Sequence, residues 1–129
     1  MSVLVNELQL EVDEENRVLY AWGLCPSTMW RPTRAMPPPA LQQVLEVVTE
    51  KQMIPGVSLQ VNQERWPVAV NAERGWVCVG DAEAGGSGET PVEFAPGTIA
   101  VLAGDRLRAV WLHPQSLPIQ VGRRSSQQA

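Results

Sequence analysis

The stretch Cys25–Ala40, CPSTMWRPTRAMPPPA, restricts the fold more than any other part of this 129-residue chain, since five of the eleven prolines fall in it. Proline fixes φ and removes a backbone donor, so such a run is excluded from a helix interior and from a central strand. It has to be a crossing between regular elements, and its Trp, Arg and Met side chains need a role.

Before it, Leu8–Val12 (LQLEV) and Arg17–Leu24 (RVLYAWGL) alternate apolar and polar residues around DEEN, which predicts a hairpin with a four-residue loop. In the second run Val18, Tyr20, Trp22 and Leu24 are expected on one face. Val3 and Val5 have the opposite parity from Leu8 and Leu10, which calls for a bulge or a late strand start near Asn6.

After it, ALQQVLEVVTEKQ places Leu41, Val44, Leu45 and Val48 at i, i+3, i+4 and i+7, with Gln42, Gln43, Glu46 and Glu50 opposite. This spacing predicts an amphipathic helix of about three turns. Pro38 or Pro39 suits its first turn and Ile54-Pro55-Gly56 its stop. The adjoining Val47 and Val48 weaken the helix slightly.

Strands then return in VSLQV, PVAVNA, WVCV, VEF, TIAVLA and RLRAVWLH, with Gly104-Asp105 as a tight hairpin turn. Leu117–Val121 is expected as a last edge strand. The glycine-rich GDAEAGGSGETP reads as a mobile loop. The expected fold is α+β: seven to eight short strands in an antiparallel, strongly bent sheet or small open barrel, with one amphipathic helix across an opening. Residues 1–121 are expected to form a single globular domain and 122–129 a flexible tail.

Charge and cysteine usage narrow the function. The net charge is −4 and no basic cluster exceeds Arg123-Arg124, so there is no footprint for a phosphate backbone and nucleic-acid binding is not expected. The start, MSVLVNELQLEV, lacks the basic-then-apolar order of a secretory signal, and no run has the ~18 apolar residues of a membrane span. Cys25 and Cys78 are too few for a disulfide framework and lack metal-ligand spacing, which points to the cytoplasm.

No catalytic constellation emerges. CPST resembles a one-cysteine redox motif, but MWRPTR cannot supply the helix N-terminus that would stabilise a thiolate. DAEAGGSGE has carboxylates at calcium-loop positions but Val92 where the bidentate Glu belongs. His113, the only histidine, has no local partners for a triad and reads as structural. RRSS (Arg123–Ser126) matches a basophilic kinase target, a pattern that chance supplies readily. No cofactor and no metal is expected.

What remains is the aromatic and proline signal. Trp30, Arg31, Arg34 and Met36, with Trp66 of the Trp66-Pro67 turn, are expected to form a recognition patch, since Trp and Arg dominate binding hot spots and Met adapts to a partner. The leading expectation is therefore a non-enzymatic domain that binds another protein, as an accessory subunit, adaptor or assembly factor. A carrier or sensor of small molecules, with Trp22, Trp76 and Trp111 at a barrel mouth, is the second. An immunity-type inhibitor is the third. Unpaired edge strands leave a homodimer open.

Overall fold

The computed structural model describes residues 1–25, 30–48, 58–113 and 120–121. Thirteen short strands arise among them: β1 (Ser2–Val5), β2 (Leu8–Val12), β3 (Arg17–Cys25), β4 (Trp30–Pro32), β5 (Leu41–Gln42), β6 (Leu45–Glu46), β7 (Ser58–Gln60), β8 (Val68–Asn71), β9 (Trp76–Gly80), β10 (Thr90–Ala95), β11 (Thr98–Ala103), β12 (Arg106–Leu112) and β13 (Gln120–Val121). They form two sheets, ordered β13-β3-β2-β1-β7, with β6 also on β3, and β4-β8-β9-β12-β11-β10-β5. The expected α+β class is thus corrected to all-β, because no helix occurs among the described residues. The expected single antiparallel sheet is corrected as well. Both sheets are mixed, with parallel pairs β1–β7, β4–β8, β5–β10 and β3–β13.

Turn chemistry accounts for the hairpins. Asn6-Glu7 joins β1 to β2 with Asn6 at φ 54°, a left-handed conformation that Asn tolerates. A two-residue turn sets Val5 opposite Leu8 and Val3 opposite Leu10, so both parities face one core and no bulge is needed there. The bulge lies instead between β2 and β3, where Glu11 pairs with Tyr20 but Val12 pairs with Val18. It flips the strand, so Val18 and Ala21 are buried while Tyr20 and Trp22 face outward. The expectation that Val18, Tyr20 and Trp22 share a face fails for that reason. Pro96-Gly97 and Gly104-Asp105 turn β10–β11–β12 in two residues each. β9 returns through the long 81–89 connection to lie beside β12, which is a Greek-key order.

One apolar cluster fills the space between the sheets: Val3, Val5, Leu8, Leu10, Val12, Val18 and Ala21 from the first, Val68, Val77, Val79, Ala100, Val110 and Leu112 from the second. The second sheet is also buried on its other face, where Cys78, Ile99, Val101, Ala109 and Trp111 form a separate cluster with Ala84. Burial on both faces explains why TIAVLA and RAVWL read as continuous apolar runs.

The Pro-rich segment covers that second face. β4 and β5 are consecutive in the chain but sit on opposite edges of the seven-stranded sheet, six strand intervals apart. At ~4.8 Å per interval the crossing is roughly 29 Å. The nine steps from Pro32 to Leu41 supply about 28 Å at the polyproline rise of ~3.1 Å. The flat-sheet width is an upper bound on the span, which an extended chain covers, and three consecutive prolines hold the segment extended. Ala35 and Ala40 pack against the Trp111 cluster. Asn71 Nδ2 donates to the Ala35 carbonyl at 3.0 Å.

The same topology removes the expected helix. Leu41 and Gln42 pair with Val92 and Glu93 of the second sheet, then Leu45 and Glu46 pair with Val18 and Arg17 of the first. Gln43 N donates to Glu93 O at 3.2 Å and Val47 N to Asn16 O at 2.8 Å. Residues 41–48 therefore tie the two sheets together, and their amides are engaged outside the segment, whereas a helix would engage them internally. β-Branched Val44, Val47 and Val48 suit this extended path. What the sequence predicts for 49–57 and 114–119, including most of the last edge strand, and for the 122–129 tail lies outside the described residues.

No helix among the described residues is long and apolar enough to cross a membrane.

Candidate functional site

The failed helix leaves its apolar stripe on the surface. Of Leu41, Val44, Leu45 and Val48 only Leu45 is buried, while Leu41, Val44 and Val48 are 70%, 66% and 92% exposed. Leu19, Tyr20 and Trp22 on β3 are exposed too, so most of the large apolar side chains left in solvent belong to β3 or to residues 41–48. An apolar concentration of this kind marks an interaction site more often than scattered single residues do.

These two segments flank a groove of about 660 Å³ at the side of the molecule where the sheets are tied. Arg17, Val18 and Leu19 of β3 form one part, Gln42, Gln43 and Val44 another, and Glu93–Pro96 at the end of β10 the third. Each part is positioned by backbone pairing already described: β6 against β3, β5 against β10, and Gln43 N on Glu93 O. Glu93 Oε2 accepts from Gly97 N at 3.1 Å, which fixes the β10–β11 turn beside the groove. Arg17 is held at the other end by Asp13 Oδ2 at 2.9 Å and Glu15 Oε1 at 2.6 Å. Backbone donation from Arg17, ahead of the guanidinium pairing, holds the Asp13 carboxyl below its ordinary pKa.

The residues expected to form a recognition patch are divided. Trp30 is half-buried against the inter-sheet core, with its indole N–H unpartnered, and pairs with Val68 along β4–β8. Trp66 also packs on that core. Its backbone is clamped by the Asn6 side chain, which accepts from Trp66 N at 3.0 Å and donates to Trp66 O at 3.0 Å. Trp66 and Pro67 line a second groove of about 580 Å³ with Gly80, Asp81, Arg106, Leu107 and Arg108. Gly80 is required there: at φ +119° a side chain would meet Arg108 O at 2.5 Å and the Trp66 ring at 3.2 Å. Arg31 and Arg34 are exposed, and Met36 lies on the strap with Asn71 Nδ2 at 3.4 Å from its sulfur.

The three tryptophans expected at one mouth occupy two places. Trp76 and Trp111 meet edge to face at 6.4 Å, and Trp76 meets His113 at 4.9 Å, on the second sheet's strap-covered face. Trp111 Nε1 and His113 Nδ1 are buried without partners. Trp22 is on the first sheet, donating from Nε1 to Glu11 at 3.1 Å. Cys78 pairs with Trp111 across β9–β12, and burial, then the charge of Asp81, pushes its thiol up to about 12. Among the described residues no cluster of three or more His, Cys, Asp or Glu could hold a metal ion.

The glycine-rich loop is anchored at several points. Glu89 Oε1 accepts from Gly85 N at 2.6 Å, Arg108 bridges Asp81 at 2.7 Å and Glu89 at 3.3 Å, and Ala84 is buried in the strap-side cluster. The Asp81 and Glu89 carboxylates thus serve the loop itself.

Sequence reading missed Leu19, Val44, Phe94 and Pro96 as site residues, because the helical spacing assigned Val44 to a buried stripe. The β-branched content of residues 44–48 was the signal that pointed the other way.

Fold and site together define a class, a two-sheet β protein with a polyproline strap over one sheet and an apolar groove at the tied side. Neither a family model, nor a curated protein, nor a solved structure matches this chain.

Proposed function

We propose that this protein is a non-enzymatic protein-binding domain whose partner docks on the groove between β3, residues 42–44 and the end of β10. The observation that carries this is that exposed Leu19 and Val44 line one groove together with Phe94, Ala95 and Pro96, while Leu41 and Val48 of the neighbouring segment are exposed as well. Burying such side chains against a partner removes apolar area from water at about 25 cal/mol per Å². The Pro-rich segment then acts as frame: it delivers residue 41 to the far edge of the second sheet, and a preordered surface loses less entropy on docking.

The test is capture of the tagged protein from its own cells beside a Leu19→Ser/Val44→Ser variant. Both side chains are exposed, so the variant should keep its thermal midpoint. Prey held by the parent protein and released by the variant is the expected result. The same prey on both, or none on either, overturns the reading.

A further inference from the structure

We infer that the Pro-rich strap and the glycine-rich loop are two halves of one cover, latched together at Glu89, and that releasing the latch opens the Cys78–Trp111 face while the sheets stay folded. That face carries Cys78, Ile99, Val101, Ala109 and Trp111, all buried. Two separate segments lie on it: Ala35 and Ala40 come from the strap, Ala82 and Ala84 from residues 81–89 between β9 and β10. The two segments meet where Gly85 packs on Pro38. A side-chain carbon at Gly85 would sit 2.8 Å from Pro38 Cγ and 2.9 Å from Pro38 Cβ, and its φ of +115° is one that glycine holds without strain.

The latch is a carboxylate in a backbone cradle. Glu89 Oε1 accepts from Gly85 N at 2.6 Å and from Gly86 N at 3.3 Å, which sets Gly85 in place against Pro38. Glu89 Oε2 lies 3.3 Å from Arg108 Nη1, and Arg108 Nη2 lies 2.7 Å from Asp81 Oδ2. One guanidinium on β12 thus ties both ends of the loop to the sheet. Glu89 is the better buried of its two partners, so it carries more of the hold than the exposed Asp81 pair.

The cover is held more lightly than what it covers. Among the described residues, the strap between Thr33 and Ala40 is bonded to the sheet by Thr33 N to Val70 O at 2.9 Å and by Asn71 Nδ2, which donates to Ala35 O and Met36 Sδ. Pro37, Pro38 and Pro39 have no amide to donate. Beneath them β8, β9, β12 and β11 are joined by backbone ladders. A lightly bonded segment over a laddered sheet opens locally at a lower free energy than global unfolding.

Cys78 reports the opening, because a fully buried thiol reacts only when its cover lifts. The measurement is the rate at which iodoacetamide alkylates Cys78 in the intact chain, read on its own peptide by mass spectrometry, at urea concentrations below the unfolding transition. Glu89→Ala should raise the rate about tenfold, since it removes charged hydrogen bonds to two amides. Gly85→Ala should raise it as well, by driving a methyl group into Pro38. Gly86→Ala is the control: among the described residues nothing lies within 4 Å of a side-chain carbon there, and the rate should stay within about twofold of the parent. In every case the rate should be flat in urea, because a local opening exposes little surface. An unchanged rate in Glu89→Ala overturns the latch, and so does an equal rise in Gly86→Ala. A rate that climbs with urea along the global unfolding slope, or no alkylation short of unfolding, overturns the local opening.

Discussion

Residues 33–40 and 41–48 are neighbours of equal length, both rich in apolar or proline residues, and the fold treats them oppositely. The first lies across a sheet face and is buried against it through Ala35 and Ala40. The second steps from one sheet to the other and shows Leu41, Val44 and Val48 to solvent. The difference comes from what each segment has to span. A chain crossing from one edge of the sheet to the other in nine steps, stiffened by prolines, lies along the face beneath it. A chain bridging two sheets has both ends fixed by backbone pairs, and its side chains point where those pairs leave them. Burial is decided by topology here more than by hydrophobicity.

The largest expected effect breaks the first half of this comparison. Trp111 is fully buried under the strap. Truncation to Ala should cost about 3–5 kcal/mol by urea unfolding. A loss below about 1 kcal/mol would mean that the strap seals nothing and that the Trp111 side of the sheet is effectively surface.

A second measurement sharpens the same point through Cys78, which lies opposite Trp111 in the β9–β12 register. Its thiol is raised from 9.0 to about 12 by burial and then by Asp81. The folded state disfavours the thiolate, so this contribution is fully present below pH 9, the unfolded value, and is lost as pH rises towards 12. Stability should fall by up to about 1.4 kcal/mol per pH unit in that window from this group. Alkaline denaturant titrations of the parent and Cys78→Ala should show a flatter fall in the variant. Parallel curves would place Cys78 in contact with water.

How much of this was legible in the sequence follows from range. The hairpins at Asp13–Asn16 and Gly104-Asp105 were readable because they carry their turn chemistry locally. The Pro-rich run was readable as a crossing. Its length against the width of a seven-stranded sheet was not, since nothing local says that β4 and β5 sit on opposite edges. The Leu41–Val48 pattern misled for the same reason: a 3.6-residue period is a local signal, and here pairing with Val92–Glu93 and Arg17–Val18 prevails. Trp22 was misassigned by a single bulge, which a sequence does not display. Trp30 and Trp66 were singled out by residue type but neither lines the groove between β3, residues 42–44 and the end of β10, which is built by long-range pairing.

The smallest expected effect concerns the second half of the comparison. Val48 is 92% exposed and Leu41 70% exposed, so replacing both by Ser removes almost no buried area. Stability should stay within about 0.5 kcal/mol of the parent. Segments that a fold needs pay for large polar substitutions, whereas a display surface does not. The informative case is therefore Leu45→Ser beside it: Leu45 is the one member of the stripe in the inter-sheet core. Its loss should cost about 2–5 kcal/mol. If the Leu41/Val48 pair proved as costly as Leu45 alone, the stripe would be packed in solution and the segment would be the helix its spacing describes. A silent pair beside a costly Leu45 fixes residues 41–48 as an extended tie, anchored at one side chain and free to offer the rest.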